Sequence, residues 1–499
     1  MSHAPVLTII IPLAGAFLIT FTELISARIR PVVLIPVTLG HLGAALSVIL
    51  QVVEQGPILY TLGMWDPPWG IVLSIDSVSI VFLGIVSAGS ALLTVFAWGS
   101  PREAGGKYAV LRLLLCGAMS GAVLTGDLFN LFVFAELMTI AGTGLVALKR
   151  KGESAVAGFT YLMFSGVAGT FFLFGVALLY GSTGTLNMAQ LAQRLTEVDP
   201  TTQTVAFVLM VTAFGVKTAM VPLHFWQPFA YAAAGGTTAA LLSGVTMKVN
   251  LYALLRICYG IFGRQAGAFD DVLSVLLVVG MVSIIVGHGL ALWQDDIRRM
   301  LAFSSVAHVG YILLGVAGGT TAAVTAGLFH AFNHFVMKVA LFWSGRGMSS
   351  VIGSPYISRM NGVGRRAPLL VGVFFVAALA IVGIPPTNGF ASKWLIALSL
   401  LAEAEIVAVL VLMVGTALSM MYYTRFLSRA VQWAPESFSG RAVEDRRLRA
   451  VGPLVLLAAV ILIVGVLPEL ATAFLEPAAR ALLDQEAFIS NILGAAAVQ

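Results

Sequence analysis

The chain has 499 residues, of which 59% are hydrophobic and 10% charged, and its mean hydropathy is +0.97. Soluble domains carry about 25% charged residues, so a water-soluble enzyme is excluded, and the modest net charge of +5 does not suggest nucleic-acid binding. Apolar runs of about twenty residues recur where a β-barrel would show short alternating segments, which makes the fold class all-α integral membrane.

Hydropathy predicts about fourteen transmembrane helices. In chain order they cover 5–25, 31–53, 72–98, 108–125, 128–147, 155–181, 203–232, 237–261, 270–293, 298–318, 321–345, 367–400, 404–428 and 450–471. No linker divides them, so residues 1–499 read as a single polytopic domain in the lipid bilayer. The first apolar run has no preceding basic segment or small-residue cleavage site, so no removed signal peptide is expected. Cys116 and Cys258 both fall in apolar runs and read as small core residues.

Alternating the loops between two sides sorts the charges. One side collects Arg28, Arg30, Arg102, Lys107, Lys149, Arg150, Lys151, Arg298, Arg299, Arg346, Arg359, Arg365, Arg366 and the basic run from Arg441 to Arg449. The other side has Arg194 and Arg264 against Glu54, Asp66, Asp199, Asp270, Asp271, Glu403 and Glu405. The positive-inside rule puts the basic side in the cytoplasm and both termini outside, in a bacterial inner membrane. Two spans carry helix breakers. The seventh contains Pro222 and Pro228 in VPLHFWQP, and the twelfth contains Pro385 and Pro386 in GIPPTNGF. Both are expected to break near mid-membrane, and interrupted helices in two halves point to a transport site.

Seven lysines occur in the chain, and four of them lie within apolar segments: Lys217, Lys248, Lys338 and Lys393. Glu136 in NLFVFAELMTIAGTGL joins them. A charged residue at a helix centre costs roughly 2.5–3.5 kcal/mol on insertion scales, so the default reading is an ion or proton path. Glu136 and Lys217 are read as a pair that switches a proton, because a neighbouring carboxylate favours the charged form of an amine that desolvation disfavours; a static salt bridge is the other reading. Lys248 has no carboxylate in its own span and is expected to face water or a relay group. His330, His334 and Lys338 are spaced four apart on one helix face, which suits proton relay; structural hydrogen bonding is the other reading. Zinc is the rival for HAFNH, but no third ligand is evident and Lys338 would repel the ion. Lys393 follows the second proline break and reads as a terminal relay group. His224 is expected either to bridge Lys217 to Lys248 through water or to satisfy broken backbone. His288 and His308 are weaker relay candidates. Glu23, Asp76 and Asp127 are expected to cap helices or meet water. No phosphate-binding loop, dinucleotide fingerprint, haem or iron–sulfur motif appears, so no cofactor or bound metal is expected.

With these segments in view, the chain resembles the antiporter-like subunits shared by respiratory complex I, membrane-bound hydrogenases and Mrp-type multisubunit cation/proton antiporters. The resemblance is carried by DLFNLFVFAELMTIAGTGLVAL, GVKTAMVPLHFWQPFAYAAA, TMKVNLYALLRI, DDIRRMLAFSSVAHVGYILLG, HAFNHFVMKVALFWSGRGM and GIPPTNGFASKW. YTLGMWDPPWGIVLSIDSVSIVF is similar to the D subunit of the Mrp type. The resemblance implies two inverted five-helix repeats, about 108–261 and 270–428, flanked by helices in 5–98 and 450–471. It makes Glu136 and Lys217 the family's ion pair, Lys248 its central lysine and Lys393 its terminal group, while His330, His334 and Lys338 fit less closely. It implies other membrane subunits as partners, protons and sodium as ions, and a transporter subunit rather than an enzyme. Redox-driven pumps and bicarbonate-transport complexes use the same module. Sodium is expected to move elsewhere in the complex, because the buried charges here are mostly cationic.

Overall fold

A computed structural model describes residues 2–65, 69–98, 105–148, 152–432 and 451–496. The chain enters through α1 (Ala4–Ile25) and α2 (Arg30–Gln55). An antiparallel hairpin follows, with β1 (Ile58–Thr61) paired so that Ile58 faces Ile75 of β2 (Val72–Ile75). The third span therefore starts at α3 (Ser77–Trp98) rather than at residue 72, because the Asp76 carboxylate accepts from Ser79 N and caps the helix there.

The next helices are α4 (Gly106–Leu124), α5 (Leu128–Ala147) and α6 (Gly152–Thr183). Asp127 caps α5 by accepting from Asn130 N at 2.7 Å, as the sequence suggests. After the short α7 (Met188–Arg194), the seventh span divides into α8 (Pro200–Thr218) and α9 (Trp226–Ala233). The break sits around Pro222; Pro228 lies in the first turn of α9, where a proline is tolerated. The eighth span is continuous but unevenly wound. It runs as α10 (Gly236–Leu241), a π-helical segment Leu242–Thr246, α11 (Met247–Leu255) and a second π-helical segment Arg256–Phe262.

The second half holds α12 (Phe269–Leu292), α13 (Ile297–Val316), the long α14 (Thr321–Ile352) and a single turn α15 (Val363–Arg366). The twelfth span is again two helices, α16 (Pro368–Val382) and α17 (Asn388–Ala402), followed by α18 (Ile406–Val431). The last span is α19 (Val451–Val466). It ends earlier than residue 471, bends by 79° and continues as α20 (Glu469–Leu483) and α21 (Gln485–Ala496). Hydropathy gives no sign of these two helices. α20 is amphipathic; it buries Leu475, Ala478, Ala479 and Leu482 and lies across α3 and α14.

Ten helices among the described residues are long and apolar enough to cross a bilayer. The four other expected spans are the two broken ones, α19, and α14, whose His330, Asn333, His334 and Lys338 dilute its hydropathy. Of the loop charges, Asp66, Arg102, Lys149, Arg150, Lys151 and the run Arg441–Arg449 lie outside the described residues. Polarity is buried rather than displayed. α10, α11, α13 and α14 form the interior, while α1, α2, α6, α12 and α18 present their apolar faces outward.

Candidate functional site

A row of ionisable side chains crosses the interior. At one end, Lys217 in the last turn of α8 donates to Glu136 Oε1 of α5 at 3.0 Å and to Thr139 Oγ1 at 2.9 Å. α6 leaves room for this carboxylate at Gly169, where an added Cβ would lie 2.4 Å from Glu136 Oε1. Lys217 is buried, but the Glu136 side chain keeps 27% exposure at the chain surface, more than a fully apolar setting would give. The helix ends just after Lys217, at Thr218, because the chain turns at Ala219 with φ +60°. The carbonyls freed by the break find side chains: Trp226 Nε1 donates to Val216 O and Asn250 Nδ2 to Lys217 O.

Lys248, fully buried in α11, is the centre. Its Nζ donates to Ser243 O at 2.7 Å and lies 2.6 Å from His334 Nδ1 of α14. Ser243 O belongs to the π-helical segment, whose altered winding frees a carbonyl that a regular α-helix would use. His334 stacks on His308 of α13 with ring centroids 5.3 Å apart. His308 Nδ1 lies 2.9 Å from His330 Nε2, and His330 Nδ1 lies 2.9 Å from Ser392 Oγ of α17. Lys393 follows directly. Its Nζ donates to Ile381 O and Val382 O, the carbonyls that α16 loses at its break, at 3.1 and 3.0 Å. The helix stops there because Gly383 adopts φ +91°, a left-handed conformation open to glycine.

The predicted stripe on α14 thus serves three different neighbours: His330 meets His308, His334 meets Lys248, and Lys338 donates to Leu301 O and Ser304 Oγ of α13. Two residues given lower standing in the sequence belong to the same cluster. His308 links His334 to His330, and His288 lies between Tyr422 and Tyr311, 3.1 Å from each hydroxyl. Ser304 Oγ in turn is 3.2 Å from Tyr423 OH, and Lys393 Nζ sits 4.3 Å from the Tyr311 ring centroid. A tyrosine–histidine branch therefore lies beside the main row, between Lys338 and Lys393. Tyrosines and serines on apolar helices carry no periodic signal, so the sequence did not single them out.

His224 touches neither Lys217 nor Lys248. It packs on Phe225 and Phe303, and its Nδ1 has no partner among the described residues. Asp76 does more than cap α3, since its carboxylate pairs with Arg256 Nη2 at 2.8 Å deep in the chain. No group of three metal-ligating side chains occurs among the described residues.

A polytopic helical membrane protein with two broken spans and a buried row of lysines and histidines has the make-up of an ion-translocating membrane subunit. Residues 125–419 match the family model described as NADH:quinone oxidoreductase/Mrp antiporter, TM, so the chain belongs to that family. It is 37% identical over 444 residues to the N subunit of an NADH-quinone oxidoreductase from Desulforudis audaxviator, covering 86% of each chain. It is 31% identical over 501 residues to the D subunit of a Na(+)/H(+) antiporter from Alkalihalophilus pseudofirmus, covering 99% of this chain and 100% of the other. Among solved structures it superposes on a chain of the membrane-bound sulfane sulfur reductase, an archaeal respiratory membrane complex. That match has a TM-score of 0.92 and 31% identity over 98% of this chain and 100% of that one.

Proposed function

We propose that this chain is the proton-translocating subunit of a multisubunit Mrp-type Na+/H+ antiporter, and that it works only with other membrane subunits. The observation that carries the reading is the contact series Lys248–His334–His308–His330–Ser392, entirely buried and free of carboxylates. Groups that bind and release protons stand within hydrogen-bonding or stacking distance of one another, while a row of cationic and neutral groups repels sodium. The end-to-end match to the D subunit of an antiporter favours the antiporter over other hosts of the module.

In this reading Glu136 sets the charge of Lys217. Protons pass from the Lys217/Lys248 half through His330, His334 and Lys338 to Lys393, or the reverse. His224, beside the first break, joins only through water. The two halves, about 108–261 and 270–428, act as inverted repeats, each with one broken helix and one of the lysines Lys217 and Lys393 beside its break. The basic loops face the cytoplasm and both termini lie outside. The chain itself performs no catalysis and holds no cofactor.

A second reading has its own support: 37% identity to the N subunit of a quinone oxidoreductase makes the same module part of a redox-driven pump. Sodium-driven dissipation of a pH gradient in vesicles carrying the whole gene cluster separates the two. Wild-type activity that is lost in Lys248→Ala, with the complex assembled, supports the antiporter. No sodium response in the wild type makes the redox-driven pump the better reading.

A further inference from the structure

The C-terminal helices α20 and α21 follow the last span, yet they reach the elements that hold Lys248 and His334. α20 lies across α3 and α14, and both helices pack on Arg256–Phe262, the second π-helical segment of the eighth span. The last carbonyls of a helix have no partner within it. Here Gly260 O and Ile261 O accept from Gln485 Nε2 of α21 at 3.3 and 2.8 Å. The chain then turns away at Gly263, with φ +52°, and a side chain at that position would collide with the Gln485 amide.

Phe488, one turn further along α21, is buried with its ring centroid 4.8 Å from the Arg256 guanidinium. Arg256 also pairs with Asp76 at the head of α3 and donates to Tyr252 OH, which lies 3.2 Å from Ser79 Oγ. The lower end of the eighth span is thus held from two sides, by α3 and by the C-terminal helix.

That end bears on Lys248 through helix winding. Lys248 sits in α11, between the π-helical segments Leu242–Thr246 and Arg256–Phe262. A π-helical turn takes in an extra residue, and at 3.6 residues per turn each residue is about 100° of rotation. Rewinding either segment as an α-helix would turn α11 against its neighbours. Lys248 Nζ stands 2.6 Å from His334 Nδ1, a contact that such a turn would break.

We propose that Gln485 and Phe488 are positioning residues for Lys248: by holding the second π-helical segment they fix the rotation of α11 and keep the lysine on His334. A loss of transport follows from their removal only if Lys248 relays protons, as proposed above; a change in α11 follows in either case.

The test uses the intact complex with Gln485→Ala and Phe488→Leu combined. Amide hydrogen exchange is followed over residues 242–262, and transport in vesicles is measured across a pH series. Exchange is expected to rise about tenfold through α11 and Leu242–Thr246 as well as in Arg256–Phe262, with transport reduced and its pH profile displaced. Faster exchange confined to α20, α21 and Arg256–Phe262 overturns the proposal. So does transport that falls in step with the recovered complex and keeps the wild-type pH profile. Faster exchange in α11 with wild-type transport would uphold the positioning role and refute the relay reading instead. If the double variant does not assemble, Gln485→Ala alone, which keeps the buried ring, decides by the same criteria.

Discussion

Replacing Lys248 by methionine tests whether the central lysine conducts or merely holds helices together. Methionine has similar length and no charge. The substitution leaves Ser243 O and His334 Nδ1 without their partner, at about 1–3 kcal/mol for each buried group. It also removes a fully buried ammonium that has no carboxylate beside it, and replacing buried charge by apolar volume often returns a comparable 1–4 kcal/mol. The two effects oppose each other, so the net change in stability is expected to stay within about 2 kcal/mol. Transport behaves differently. A proton crossing the gap without a basic side chain meets at least the roughly 2.5–3.5 kcal/mol that a charge costs at mid-membrane. At about 1.4 kcal/mol per factor of ten, that is on the order of 100-fold. The assay pairs gradient dissipation in vesicles with the amount of assembled complex recovered from the same membranes. Lys248→Met is expected to assemble near wild-type level with transport down about 100-fold. Transport above a tenth of wild type, or complex recovery that falls in step with transport, refutes the relay role.

Three further outcomes follow from individual contacts. Gly169→Ala puts a methyl 2.4 Å from Glu136 Oε1; it is expected to pull the carboxylate from Lys217 and lower transport at least tenfold without altering an ionisable residue, and Gly169→Ala activity equal to wild type would show the pair to be passive. His288→Gln keeps hydrogen-bonding atoms for Tyr311 and Tyr422 but cannot carry a proton as imidazole does; vesicle assays should show transport reduced several-fold with normal assembly if the branch conducts, and unchanged if it only packs. Asn333 and Asn388 join α14 to α17 through Asn388 Nδ2 to Asn333 Oδ1 and Asn333 Nδ2 to Asn388 O, both at 2.9 Å; Asn333→Ala should cost about 1–3 kcal/mol, read as a lower melting temperature of the purified complex.

The spans and the lysines were legible because both follow from the solvent. A run of about twenty apolar residues has one stable arrangement in lipid, and a charge within it stands out against that background. The prolines marked both breaks for the same reason. The contacts within the site were less legible. His308 and His288 stand on helices with no useful polar period, and only the packing of α13 against α12 and α14 shows that one bridges His334 to His330 while the other joins two tyrosines. His224 shows the opposite case. Its place beside Pro222 left open a water-mediated bridge from Lys217 to Lys248 or a contact with the broken backbone, and the turn sets it beside the Pro222 backbone and against Phe225 and Phe303. α20 and α21 escaped notice because hydropathy detects crossing helices, whereas α20 lies against α3 and α14 on one apolar face and α21 follows it along the chain surface.

The partners of the three interior lysines share one chemical feature. Lys248 donates to Ser243 O, Lys338 to Leu301 O, and Lys393 to Ile381 O and Val382 O. Each rests on backbone carbonyls, and for Lys248 and Lys393 these are carbonyls that local irregularity has freed from the helix. A π-helical segment does this at Ser243, and a proline break does it at Val382. The aligned dipoles at a helix C-terminus supply partial negative charge there, enough to hold an ammonium and less than a carboxylate would fix. A full carboxylate appears only at Lys217, and there it is partly exposed. The helix defects therefore accept a cation in the membrane interior without fixing it by a full carboxylate, which fits the proposed proton transfer.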